Sequence, residues 1–403
     1  MKNTTYQTSD LGKANRAAVL NLIKQHGTIS RAELVKKTKL AGPSVSRIVQ
    51  SLIQEGLVDE IGVGRSIGGR KPILLTLRPY GRLAVGLDIR PQFVDGVVCG
   101  LDGSVVCEHR TPLEPGMSAD DVVAKVIGHV RELLGKGNVD GKALAGIGLS
   151  IPGLVDQHTN IVRFSPPAGW RNMSVKKPLM RHFKVPVMIE NTVEVMALAE
   201  KVMGEPASRD TEHLVYLYVG LGIGAGIIRD GTLFHGPRYS GVELGHTTID
   251  LHGPRCRCGN YGCLEAVASQ TALLDKASRH LQERGLPPVS TLEELRERVR
   301  DETAGLGAVF SEMATYLGVG VANIMNIFNP DVVVLGGWPS LFKDQVFEQI
   351  RHVALSRSLE GIREGVAILP SETGENSVVL GAASLIIQAF FNGELDSKNA
   401  KRM

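Results

Sequence analysis

The stretch Glu243-Leu244-Gly245-His246 is followed ten residues on by Cys256-Arg257-Cys258-Gly259-Asn260-Tyr261-Gly262-Cys263-Leu264-Glu265. Three thiols and one imidazole at this spacing make a closed tetrahedral donor set for a structural zinc ion, with no position left open for a substrate. Gly259 and Gly262 permit the tight turns that let closely spaced sulfurs converge. A redox switch or unbound thiols are the alternatives. The other two cysteines, Cys99 and Cys107, lie far off, so five cysteines make a poor disulfide framework. The polar start Met1–Asn15 lacks the apolar core of an export signal, so a reducing cytoplasm is expected.

Glu243 and Glu265 flank the donor set, and a metal would hold both in place. Carboxylates accept hydrogen bonds from hydroxyl groups, and fixed placement allows choice among stereoisomers, so Glu243, His246 and Glu265 are candidates for reading a polyol. Upstream, Gly220-Leu221-Gly222-Ile223-Gly224-Ala225-Gly226 alternates glycine along a strand and turn, which lets a ligand or another backbone come close.

Further outward the body repeats itself. Leu83–Ile89 is an apolar strand followed by a second strand, an Asp102-Gly103 turn and Ser104–Cys107. Leu214–Val219 is followed in the same way by Gly222–Ile228, an Asp230-Gly231 turn and Thr232–Phe234. Asp-Gly between apolar runs signals a hairpin, and two copies predict two similar lobes. Helical patterns at Ala119–Leu134, Val193–Met203, Leu292–Arg300 and Leu306–Asn326 make the body α/β. The uncharged runs Met313–Pro330 and Asn376–Gly393 are broken by Asn, Gln, Gly or Pro, so no membrane insertion is expected.

The chain has 403 residues, 43% hydrophobic and 22% charged, enough for about two to four domains. Its net charge of +3 is unevenly spread: residues 1–80 hold 13 Lys/Arg against 5 Asp/Glu, leaving the rest of the chain acidic. A basic end on an acidic body fits a nucleic-acid-binding module. Residues 13–25 read as a helix. Ser30 and Glu33 form a capping box for a second helix to about Thr38. A third runs from about Pro43 to Glu55 with Val45, Ile48, Val49, Leu52 and Ile53 on one stripe. The opposite face shows Ser44, Ser46, Arg47 and Gln50. Small residues let such a helix enter the major groove, and Arg and Gln meet base edges there, so the pattern is a helix-turn-helix rather than a plain three-helix bundle. Strands at Leu57–Glu60 and Ile73–Leu77 enclose a glycine-rich tip whose Arg65, Arg70 and Lys71 can reach phosphates or a narrow minor groove, as a wing does. We therefore expect a winged helix-turn-helix over 1–80 and a body over 81–403 that carries the zinc motif 246–263.

These residues resemble the ROK family of repressors, open reading frames and sugar kinases. Besides the zinc run, Ile189-Glu190-Asn191, Pro152-Gly153-Leu154-Val155-Asp156 and Asp331-Val-Val-Val-Leu-Gly-Gly337 match its pattern, and Gly68-Gly69-Arg70-Lys71-Pro72 looks like the wing of its regulators. The resemblance implies an actin-like, ribonuclease-H-like double lobe with a sugar in the cleft. It implies that Asn191, Glu243, His246 and Glu265 contact sugar hydroxyls with Gly153 nearby, and that His246 uses one ring nitrogen for zinc and the other for sugar.

The chain departs from the family's kinases on the reaction path. They follow the equivalent of Asn191 with an aspartate base; here Thr192 stands there, and a neutral hydroxyl is no base near pH 7. Their first phosphate loop reads Asp-x-Gly-Gly-Thr, against Asp88-Ile89-Arg90-Pro91-Gln92 here. Their second reads Gly-Thr-Gly, and here Leu221 replaces the hydroxyl. Glu194 and Val242 also differ from common kinase residues. The expectation is a non-enzymatic regulator, a repressor whose operator DNA binding is controlled by a sugar effector and which acts as a homo-oligomer, a dimer or tetramer. The rival is a sugar kinase with an appended DNA module. A third reading is a body that docks a protein such as a sugar-transport component.

Overall fold

The computed structural model describes residues 8–63, 72–156, 158–165, 168–236, 241–301, 304–373 and 377–395. The N-terminal head consists of α1 (Thr8–His26), β1 (Thr28–Ser30), α2 (Arg31–Thr38), α3 (Gly42–Gln54), β2 (Val58–Val63) and β3 (Ile73–Leu77). Ser30 and Glu33 form the expected capping box: the Glu33 amide donates to Ser30 Oγ at 3.3 Å, and the Ser30 amide donates to the Glu33 carboxylate at 2.9 Å. Lys39, left-handed at φ 58°, ends α2 and opens the turn into α3. Val45, Val49 and Leu52 of α3 are buried with Val19, Leu20 and Ile23 of α1 in the head's core. Arg16 of α1 donates to both carboxylate oxygens of Glu55, just past the end of α3. A three-stranded sheet of order β1-β3-β2 completes the winged helix. The short strand β1 is the element the sequence patterns do not announce, because three residues are too few to show a period.

The chain forms two compact units. The first comprises residues 1–153, 160–190 and 382–403; the second comprises 154–159 and 191–381. After the head, the first unit continues through β4 (Leu83–Ile89), β5 (Phe93–Gly100), β6 (Val105–Pro112), α4 (Ala119–Lys136) and β7 (Leu144–Ile151). Following β8 (Leu154–Asp156) come β9 (Ile161–Ser165), β10 (Trp170–Met173), α5 (Lys176–Phe183) and β11 (Val187–Asn191). Its main sheet has the order β11-β7-β4-β5-β6, with β4 antiparallel to β5 and parallel to β7.

The second unit runs through α6 (Thr192–Met203), α7 (Pro206–Asp210), β12 (Leu214–Val219), β13 (Ile223–Arg229) and β14 (Thr232–Leu233). Then follow α8 (Leu264–Ala268), α9 (Gln270–Glu283), α10 (Leu292–Val299), α11 (Gly307–Phe328) and β15 (Val332–Gly337). The series α12 (Trp338–Leu341), α13 (Lys343–Arg357), α14 (Glu360–Arg363) and β16 (Ala367–Pro370) closes it, and α15 (Ser377–Phe391) starts here and ends in the first unit. Its sheet order is β14-β13-β12-β15-β16. Each sheet is thus a three-stranded antiparallel meander whose first strand pairs in parallel with a later fourth strand. The repeated strand–turn–strand pattern of the sequence is this repeated topology.

Helix α11 is long and apolar enough to span a membrane by composition. Its Phe310, Met313, Leu317, Val321 and Met325 instead pack into the second unit's core beside Trp338, Phe347 and Ile350. In the first unit, α15 lies so close to β7 that a Cβ on Gly148 would run into the Ala382 carbonyl. The end of α15 meets the head: Asn21 Nδ2 donates to the Phe391 carbonyl at 3.1 Å, and the Lys24 ammonium sits 4.4 Å from the Phe391 ring centroid.

Candidate metal centre and ligand site

His246, Cys256, Cys258 and Cys263 place one donor atom each within 4.8 Å of all the others. Cys258 Sγ and Cys263 Sγ are 3.7 Å apart, as are Cys256 Sγ and His246 Nδ1. Tetrahedral zinc with Zn–S bonds of about 2.3 Å would put its sulfurs about 3.7–3.8 Å apart, so the Cys258–Cys263 pair stands at that spacing and the four donors could hold one metal ion. The backbone explains the convergence. Cys256 N–H donates to the Asn260 carbonyl at 2.7 Å, and Gly259 N–H returns to the Cys256 carbonyl at 3.0 Å. Gly259 and Gly262 have φ of 99° and 61°, and a Cβ on Gly262 would run into the Asp250 carbonyl. Each glycine is required at its place.

The same loop carries the candidate ligand groups of the second unit. Nδ1 of His246 faces the sulfurs, while its Nε2 lies 3.9 Å from a Glu243 carboxylate oxygen. The turn from Glu243 to His246 packs on β13, where a Cβ on Gly245 would run into the Ile223 carbonyl. Glu265 is buried at the start of α8, 3.9 Å from Cys256 Sγ. Its Oε2 accepts the Ile223 amide at 2.9 Å. Arg257, between two of the cysteines, donates to the same carboxylate through Nε at 2.8 Å and Nη2 at 3.0 Å. That contact raises the Arg257 guanidinium above its ordinary pKa. The structure thus brings Glu243, His246, Glu265 and all three zinc-motif cysteines into one neighbourhood, and adds Arg257, which the sequence reading passed over.

Asn191 caps α6, its Oδ1 accepting the Val193 amide at 2.8 Å. Thr192 is the first residue of that helix, and Glu194 is buried two residues later. Gly153 belongs to the first unit. Its φ is 130°, and a Cβ there would run into the backbone of Phe164 and Ser165. In the turn after β4, which the sequence sets against the kinases' first phosphate loop, Arg90 makes two contacts of its own. The Arg90 amide donates to the Phe93 carbonyl at 3.0 Å, and Arg90 Nε donates to the buried Asp88 at 2.6 Å. Burial pushes the Asp88 carboxyl above its usual range, against the opposing pull of Arg90. Pro91 has no amide to offer. In the second loop position, the Gly220 amide donates to the Gly222 carbonyl at 2.9 Å, and the Leu221 side chain is exposed.

In the head, Ser46, Arg47 and Gln50 lie on the solvent face of α3 and Ser44 is half-buried at its start. Arg65, Arg70 and Lys71 lie outside the described residues.

Residues 84–389 match the model of the ROK family, and residues 10–66 that of the MarR family. The xylose repressor of Bacillus subtilis is 32% identical over 382 residues, covering 94% of this chain and 96% of the repressor. The crystal structure of a ROK family transcriptional regulator, a homologue of the Escherichia coli MLC protein, superposes with a TM-score of 0.85. It is 29% identical and covers 97% of this chain and 99% of that one. The ROK hexokinase of Thermus thermophilus, also 29% identical, covers 75% of this chain and 96% of its own at a TM-score of 0.63. The hexokinase shares the body alone, whereas the regulators share body and head. The chain therefore belongs to the ROK family, among its transcription regulators, with a MarR-like winged helix joined to a sugar-kinase-like body.

Proposed function

We propose that this regulator represses transcription from operator DNA in the cytoplasm as a homo-oligomer, and that a neutral sugar bound beside the zinc loop controls its grip on the operator. The head ends at about residue 80, and the body from 81 onward holds the effector. Ser44, Ser46, Arg47 and Gln50 read the major groove, with Arg65, Arg70 and Lys71 on the wing reaching phosphates. Zinc held by His246, Cys256, Cys258 and Cys263 neutralises the thiolates and fixes the loop; it supplies folding energy rather than chemistry. The loop then aims His246 Nε2 and the carboxylates of Glu243 and Glu265 at hydroxyl groups. Asn191, anchored as a helix cap, completes the second unit's sugar contacts, and Gly153 is the contact proposed for the first unit.

The observation that carries this reading is Thr192 at the first turn of α6. A hydroxyl there cannot take the proton of a sugar hydroxyl, and loss of a general base alone costs about 10²–10⁴ in rate. The filled turn at Arg90-Pro91 supports the same conclusion, since it withholds the amides that would cradle a phosphate. ATP consumption measured against a panel of monosaccharides tests it. We expect no sugar-dependent turnover, and none after Thr192→Asp, because the phosphate loops stay closed. Turnover at ordinary enzyme rates of ~1–10³ per second would make the protein a kinase.

A further inference from the structure

Glu265 sits at the centre of the proposed sugar site, yet its acceptor sites are nearly spent. A carboxylate has about four lone-pair positions. One on Oε2 is held by the Ile223 amide, which the backbone of β13 fixes. Two more are held by Nε and Nη2 of Arg257. The Glu265 side chain is 7% exposed and the Arg257 side chain 66% exposed. A buried carboxylate left without donors is costly, so in the sugar-free chain something must fill these positions. Arg257 does so from outside. Its backbone is fixed between two zinc ligands, but its side chain reaches the carboxylate from solvent and can leave by rotation alone. The pair also has a reserved space. A Cβ on Gly222 would run into both Arg257 Nη2 and Glu265 Oε2.

We propose that Arg257 is a specificity-determining residue of the sugar site: it occupies Glu265 when no sugar is bound and yields it only to a ligand that brings two adjacent hydroxyl donors. The inference rests on the reading that Glu265 faces the sugar. The two N–H groups of the guanidinium edge present the carboxylate with the same pair of donors that a vicinal diol presents. A sugar with both hydroxyls replaces both hydrogen bonds as it displaces the arginine. An analogue lacking one of them leaves a buried acceptor position empty and is rejected. Arg257 therefore weakens binding of every sugar while sharpening the choice among them. Charge favours a neutral ligand here, because Glu243, Glu265 and three thiolates on one zinc ion outweigh the single guanidinium.

The test is calorimetric titration of the zinc-loaded, full-length protein with D-xylose, D-glucose and N-acetyl-D-glucosamine, then with monodeoxy analogues of the best binder. Arg257→Gln should bind that sugar roughly 3- to 30-fold more tightly, the span from an exposed ion pair to a charge-assisted hydrogen bond. It should also tolerate the monodeoxy analogues that the wild type rejects. Wild-type affinity should rise with added salt, which screens the ion pair that competes with sugar, and the affinity of Arg257→Gln should not. Sugar binding that is unchanged or weakened in Arg257→Gln at equal zinc content would overturn the proposal and leave the sugar site standing. If that variant loses zinc, the wild-type salt series decides alone, and affinity that stays flat or falls with salt overturns it. Absence of binding by all three sugars to both proteins would remove the sugar site and this inference together.

Discussion

Thr192 and Arg257 are the single side chains on which the proposed role of the body turns. Thr192 puts a hydroxyl at the start of α6, and Arg257 donates to the Glu265 carboxylate. Arg47 decides the matching question in the head. It is exposed on the face of α3 opposite the buried Val45, Val49 and Leu52, and among the described residues no hydrogen bond or ion pair holds it. An arginine so placed is available for a bidentate contact with guanine, a contact that contributes about 1–3 kcal/mol of discrimination. Arg47→Ala should accordingly flatten the preference among operator variants, measured by fluorescence anisotropy on a set of single-base changes. Unaltered selectivity would remove Arg47 from base reading. Much of this scale is legible in sequence, because spacing alone assembles the zinc donors and the polar face of α3. The Arg257–Glu265 pair is not, because it depends on where the side chain of a loop arginine turns after the cysteines have fixed its backbone.

At the scale of elements, the zinc loop and helix α4 each make a distinct prediction. The loop positions His246 and Glu265 through the same few residues that would hold the metal, so Cys258→Ser should lose zinc and weaken sugar binding together. Metal analysis of protein purified without added zinc, followed by sugar titration, checks this; normal sugar binding without metal would uncouple the two. Helix α4 buries His129, whose Nδ1 meets Thr111 Oγ1 at 2.8 Å and whose Nε2 has no hydrogen-bond partner among the described residues. Its ring stacks on His109, 5.1 Å between centroids, with Glu132, Asp95 and Lys136 nearby. Burial first, then the neighbouring His109, pushes its pKa down to about 4. Above about pH 6.5 both folded and unfolded chains hold this ring neutral, and the fold has its full stability. As pH falls further, the unfolded chain takes up a proton that the folded chain refuses, so stability drops until about pH 4, by up to ~3 kcal/mol. Protection of the α4 amides, corrected for the intrinsic exchange rate, should fall between pH 7 and pH 5, and fall less in His129→Leu. Equal behaviour of the two proteins would exclude His129 as the cause. Here the sequence shows an amphipathic helix at Ala119–Leu134 but not which of its residues is an ionisable group turned inward.

For the whole molecule, the two sheets repeat one topology, and that repeat can be read from two Asp-Gly hairpins between apolar strands. The strand β7 and the final helix α15 are not signalled in the same way. Both are nearly uniformly apolar, because they are buried on more than one side, and a uniform run carries no period to distinguish strand from helix. The division of labour is plainer: a basic head for DNA and an acidic body that carries the proposed ligand site. The central claim joins them, and operator affinity with and without the best-binding sugar tests it most directly. For the zinc-loaded wild type, operator affinity should change severalfold or more on saturation with sugar. Glu243→Ala should keep the sugar-free affinity and lose the sugar response. Operator binding that ignores every sugar the body binds, or a Glu243→Ala variant that responds like the wild type, would contradict the account.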